Sequence, residues 1–190
     1  MSGIVNSTGA RSGVIGTTVG TATSAGILQV VVHNWNDLDA CTGTTYSVPT
    51  GGSCAITPLD INSHFYVILR CMVSSSSGSP GIKIAGIAST TTTTALSPVG
   101  ASNGSVTLAT VGGHETSGKD SAYCARSYSC SILHDPALSN LNEIYYNMIY
   151  ANFNGANAVV MNRAASTGDT NAYMINSTSS ITVMEVAKSS

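Results

Sequence analysis

Few residues in this chain are of a type and spacing that could do chemistry, and the spacing argues against most of it. Gly113-His114-Glu115-Thr116-Ser117-Gly118-Lys119-Asp120 carries the GxxxxGK core of a phosphate-binding loop and follows the strand-like run SVTLATV. Such a loop needs Ser or Thr next, to ligate magnesium, and then a helix whose first amides meet the phosphate. Asp120 stands in that position, and SAYCARSYSCSIL after it alternates like a strand. The segment reads as a hairpin loop. His114-Glu115 and His134-Asp135 are adjacent imidazole–carboxylate pairs. Neighbours on an extended chain point to opposite sides, so neither pair is a dyad by itself. Neither an HExxH motif nor a close set of carboxylates occurs. No catalytic residue and no cofactor are predicted, and the chain is read as a non-enzyme.

Five cysteines (Cys41, Cys54, Cys71, Cys124, Cys130) form no CxxC pair, whereas a tetrahedral zinc site needs closer ligand pairs. No metal site is predicted. Cys71 and Cys124 lie in apolar, strand-like runs and read as small buried hydrophobes. Cys41 and Cys54 flank the loop TGTTYSVPTGGS and could be bridged, although a reducing compartment disfavours it.

Composition narrows the partners. Only 8% of the 190 residues are charged, yet 43% are hydrophobic, so the chain can bury a core but must be solvated by hydroxyls and amides. Ser and Thr make up about a quarter of the sequence, which favours strands and turns over solvated helices. A formal net charge of −2 gives no electrostatic case for nucleic acid or an anionic membrane. No apolar run approaches the roughly 18 residues that span a bilayer. The sequence opens without the basic start and apolar core of a signal peptide, so synthesis in a cytoplasm is expected.

Short apolar runs between turn signals place strands at Ile27 to His33, His64 to Val73, Gly81 to Ala88, Ser105 to Val111, Ser121 to Leu133, Asn142 to Phe153, Ala158 to Asn162, Ala172 to Asn176 and Ser180 to Ala187. Asp135 to Asn142 carries the one helical signal, a Pro just after an Asp cap, enough for a turn or two. Strands of this length and spacing predict an all-β chain, a β-sandwich or jelly roll, over residues 27–190. Two strands are apolar on both faces. In HFYVILRCMV, Phe65, Val67, Leu69, Cys71 and Val73 alternate with Tyr66, Ile68 and Met72, interrupted by Arg70. In EIYYNMIYANF, Ile144, Tyr146, Met148 and Tyr150 oppose Tyr145, Ile149 and Phe153. A half-solvated strand should alternate apolar with polar, so both need a central position between layers or a second subunit. Together they favour an oligomer, with Arg70, Tyr146, Tyr150, Arg163 and Glu185 as interface or buried-pair residues. Glu185, inside ITVMEV, is expected to pair with an arginine or to sit at an interface, because a buried unpaired carboxylate is costly.

Residues 1–26 form a different kind of segment: small, glycine-punctuated, with Ile4-Val5 and Val14-Ile15 ten residues apart and Arg11 as its one charge. That spacing makes neither an amphipathic helix nor a core strand. Such an arm cannot offset its ordering entropy alone and is expected to lie on another surface, with Ile4, Val5, Val14 and Ile15 as anchors.

The run ANFNGANAVVMNRAASTGDTNA with its ending STSSITVMEVA resembles the C-terminal β-domain of tail-fibre and related virion proteins of tailed phages, nearest to those of aquatic phages such as cyanophages. The opening IVNSTGARSGVIGTTVG is similar to a segment that precedes such a domain, and together the matches cover about half the chain. The resemblance implies a homotrimeric, jelly-roll-like head located on the virion, with Asn162-Arg163 and Ile181 to Val186 structural rather than catalytic. It also implies that the arm holds other virion proteins and that the head contacts a host receptor or surface glycan. Family members often carry a stalk ahead of this segment; here Met1 abuts it, which brings a capsid decoration protein close behind as an alternative. A carbohydrate-binding module outside a virion, and then a hydrolase, follow.

Overall fold

Side chains that alternate inward and outward set the strands, and Pro, Gly and Asx turns end them. The computed structural model describes residues 26–75, 79–96, 109–112, 125–153, 158–164 and 176–188. Among them the chain forms ten strands and no helix: β1 (Ile27–Trp35), β2 (Ala40–Cys41), β3 (Ser53–Ile56), β4 (His64–Ser75), β5 (Pro80–Ile87), β6 (Val111–Gly112), β7 (Arg126–His134), β8 (Ile144–Asn152), β9 (Val159–Met161) and β10 (Ser179–Val186). All pairings are antiparallel. The first sheet runs β1-β10-β4-β9-β2 with β7 on the opposite edge of β4, and the second runs β3-β8-β5-β6. The result is an all-β sandwich.

The pairing is nested. Leaving aside the short β2 and β9, the first strand pairs with the last (β1 with β10), the second with the last but one (β3 with β8), then β4 with β7, and β5 with β6 innermost. The chain is thus one long hairpin, wound so that β10 also lies along β4 and β8 along β5. Its core fills the space between the sheets. From β4 come Phe65, Val67, Leu69, Cys71 and Val73; from β8 come Ile144, Tyr146, Met148 and Tyr150; from β5 come Ile82 and Ile84; from β10 come Ile181 and Val183.

The outer face of the second sheet is closed by the chain itself. Gly81 and Ala151 leave room there, and the rings of Phe153 and Tyr46 meet edge to face at 5.6 Å. A side chain at Gly81 would run into both rings. Lys83 caps Tyr46, its Nζ 4.1 Å from the ring centroid. Segment 88–96 curls back along β5, and the Ser89 and Thr92 carbonyls accept both amide hydrogens of Asn147 at 2.8 and 3.0 Å. Ile149, on the same face, is buried.

The helix expectation and one strand start need correction, while other open readings are narrowed. Residues 135–142 form no helix: the Ala137 amide bonds back to Asp135 Oδ1 and the Asn142 amide to Asn140 Oδ1, while Ala137 takes φ 47°. Asx turns and a left-handed residue satisfy these amides in place of helical bonds. Cys41 and Cys54 are free thiols. The loop between them carries the chain from the first sheet to the second, so they belong to different layers. The strand expected from Ser121 begins at Arg126 among the described residues, and Asn176 lies outside any strand. Residues 105–108 and 172–175, where strands are also expected, lie outside the described residues. Tyr146 and Tyr150 are buried between the sheets of one chain, the central position that is one of the two readings of this strand.

Candidate functional site

Four of the eight exposed large hydrophobic residues among those described, Ile27, Val32, Tyr66 and Leu133, share the outer face of the first sheet. Directly opposed residues in antiparallel strands share a face. The register therefore aligns Val32, Thr182, Ile68 and Ser131 in one row across β1, β10, β4 and β7, and Val30, Met184, Tyr66 and Leu133 in the next. Ile27, Val186 and His64 form the row below. Leu133 is 66% exposed, Val32 55% and Tyr66 37%, while Val30, Ile68, Met184 and Val186 are half-buried. Arg70 stands at the upper end, exposed, with its Nε 3.5 Å from Ser127 Oγ. Exposed apolar side chains gathered in adjacent rows make this face a candidate interaction surface.

Beneath that face runs a buried polar seam. Glu185, fully buried on β10, accepts from Gln29 Nε2 at 2.6 Å, from the Leu59 amide at 2.9 Å and from the Asp60 amide at 3.1 Å. Of the two expectations for Glu185, the arginine pair does not form: Arg70 faces the other side of β4, and Arg163 follows β9 at the far end of that strand. Backbone amides replace the cation, which is the other way to stabilise a buried carboxylate. Tyr146, fully buried, lies within range of the Glu185 charge. Its hydroxyl is 3.0 Å from His134 Nδ1, the two rings meet at 88°, and Phe65 packs on its other side at 5.9 Å. Burial, reinforced by the Glu185 charge, pushes the Tyr146 phenol far up. Burial also lowers the His134 imidazole, with Asp135 opposing the shift.

At the lower edge, Asp135 accepts from Lys188 Nζ at 2.8 Å and lies 3.1 Å from His64 Nε2. The Lys188 bond first, and the Ala137 amide second, hold its carboxyl down at about 2. Tyr150, at the opposite end, donates to Asp39, whose two oxygens also accept from the Ala40 and Thr50 amides. Burial, then the Asp39 charge, pushes this phenol up too. Asp39 fixes the entry to a turn in which the Gly52 amide bonds to the Pro49 carbonyl and Gly51 takes φ 73°, the third position of a type II turn.

These groups are held in place more than they are poised to react. Burial raises the Cys54 and Cys130 thiols to about 11 and Cys71 further still, leaving them protonated and weakly nucleophilic near neutrality. No cluster of three or more metal-ligating side chains occurs among the described residues. Gly100-Ala101-Ser102-Asn103-Gly104 spells the GxSxG of a nucleophile elbow, a motif to weigh alongside the phosphate-loop-like run. An elbow needs a strand-to-helix turn. Residues 97–108 lie outside the described residues, as do 113–124 with the phosphate-loop-like run and Cys124.

The structure brings Tyr146 and Glu185 into one buried seam and places Tyr150 in a second. Arg70 is exposed, and Arg163 is half-buried with its Nε lacking a hydrogen-bond partner, while its carbonyl accepts from Ser74 Oγ. Ile4, Val5, Arg11, Val14 and Ile15 lie outside the described residues. Gln29, Asp39, Val32 and Leu133 escape sequence reasoning because each gains its role from a strand register that single-strand patterns do not reveal. Compared with protein-family models and with curated protein sequences, the chain matches none.

Proposed function

We propose that this chain is a non-enzymatic structural protein of a virion: a jelly-roll β-domain, homotrimeric, attached by its arm of residues 1–26 and serving as a tail-fibre-type module that contacts the host. The observation that carries the reading is the nested pairing of eight strands into two four-stranded layers, β1-β10-β4-β7 over β3-β8-β5-β6. That nesting supports the jelly-roll reading, an architecture of viral capsid and lectin domains. Fold alone does not assign function. Three further features support the reading: the resemblance of the opening and closing segments to virion proteins, the low charge content of 8%, and the apolar residues exposed on the outer face of the first sheet among the described residues. Contact between copies at that face explains why β4 carries apolar residues on both sides.

Immunogold labelling of purified phage particles tests the proposal. Label on a tail appendage is the expected result. Label on the head shell would make the protein a capsid decoration protein, and particles without label would overturn a virion role.

A further inference from the structure

The chain enters β1 still paired. The Ala187 amide donates to the Gly26 carbonyl at 2.9 Å, so the β1–β10 ladder reaches the first described residue. β1 runs upward from its lower end, where Ile27 opposes Val186. Gly26, to which residues 1–25 are joined, therefore lies at the lower edge of the sheet, where the backbone runs along the strand rather than across the outer face. Reaching back onto that face would require the chain to reverse immediately before Gly26. Extended, 25 residues reach about 80 Å, against about 15 Å for the width of four neighbouring strands. A neighbouring molecule is well within range.

The two surfaces also match chemically. The outer face presents Val30, Val32, Tyr66, Ile68, Leu133 and Met184, and its formal charges stand at the margins, at Arg70 and beyond His64. The arm has one charge, Arg11, and two β-branched apolar pairs, Ile4-Val5 and Val14-Ile15, separated by small residues that allow close approach. A sheet face with exposed apolar residues and an arm whose apolar pairs make no core of their own need the same thing, removal from water.

We propose that the outer face of the first sheet receives the N-terminal arm, residues 1–25, of a second copy of this chain. The contact is heterologous, arm on face, and such contacts close into rings when the rotation permits. Three copies each passing an arm to the next give the trimer. This rests on the homotrimer reading and says how the copies join; the face spans only part of the arm's reach, so the rest of the arm stays available to the particle.

Cross-linking tests it on the full chain. A photoreactive amino acid replaces Val14, copies in light and heavy isotope forms are allowed to exchange, and cross-linked peptides are mapped. Light–heavy links from position 14 to the strands bearing Tyr66, Leu133 or Val32 are expected, and Leu133→Asp should cut their yield by about tenfold. Tyr66→Ser, a milder change on the same face, should act in the same direction, with unfolding midpoints confirming that both variants fold. Links confined to light–light and heavy–heavy pairs would overturn the proposal in favour of the chain's own arm. Links elsewhere, or a yield indifferent to both substitutions, would overturn it outright. Particle labelling reads the virion role separately, so either idea can fail while the other stands.

Discussion

Strands β4 and β8 carry a similar apolar load on both faces, and the fold treats them differently. β8 lies under cover on both sides: the sandwich core takes Tyr146, Met148 and Tyr150, while Ile149 and Asn147 sit beneath segments of the same chain. β4 buries Phe65, Val67, Leu69, Cys71 and Val73 completely but leaves Tyr66 and Arg70 exposed and Ile68 and Met72 half-exposed. A doubly apolar strand thus has two origins. One is intramolecular cover supplied by loops, which makes a strand central. The other is a face built for a partner. Only the second bears on assembly, and on the proposed reading it belongs to the first sheet.

The sharpest way to break this contrast is to truncate both faces of each strand. Leu69→Ala and Met148→Ala, on the inner faces, should each destabilise by about 3 kcal/mol in urea unfolding. Ile149→Ala, on the second face of β8, should cost about 2 kcal/mol, whereas Ile68→Ala, its counterpart on β4, should stay within about 0.5 kcal/mol for the dissociated chain. Equal effects at 149 and 68 would erase the distinction. Next in size is Glu185→Ala, which strips acceptors from the Leu59 and Asp60 amides and from Gln29; a loss of about 2 kcal/mol is expected, measured in the same way.

Smaller effects come from pH. Burial raises the Tyr146 and Tyr150 phenols in the folded chain, so the unfolded chain releases its protons first as pH climbs past about 10. Stability should fall above that point, and Tyr150→Phe should make the fall shallower. His134 shifts the opposite way: its imidazole is lowered from 6.5 by burial, so the unfolded chain takes up the proton first. Stability should decline as pH drops below 6.5 and level off once the folded imidazole is also protonated. Urea midpoints against pH report both limbs.

Much of the sandwich was legible because eight of its strands contain runs that alternate or are continuously apolar. Two strands were not. β3 offers only Cys54 and Ile56 as inward side chains, and β2 is two residues long. Both exist because β8 and β9 offer them edges. The Asp-Pro at 135–136 suggested a helix start, but Asp135 spends its oxygens on the Ala137 amide and Lys188, which makes a turn. Glu185 was rightly marked as unusual on composition alone. Its partners were not legible, since two are backbone amides 125 and 126 residues away in sequence. The outer face was half-legible: β4 declared it, while Leu133 and Val32 joined it only through register.

Sedimentation velocity on the full chain, alongside its Leu133→Glu variant, tests most directly whether that face is where copies meet. The account predicts a trimer for the parent chain and dissociation toward monomer for the variant, with the unfolding midpoint of the isolated domain unchanged. A parent chain that stays monomeric at high concentration, or a trimer indifferent to Leu133→Glu, would contradict it.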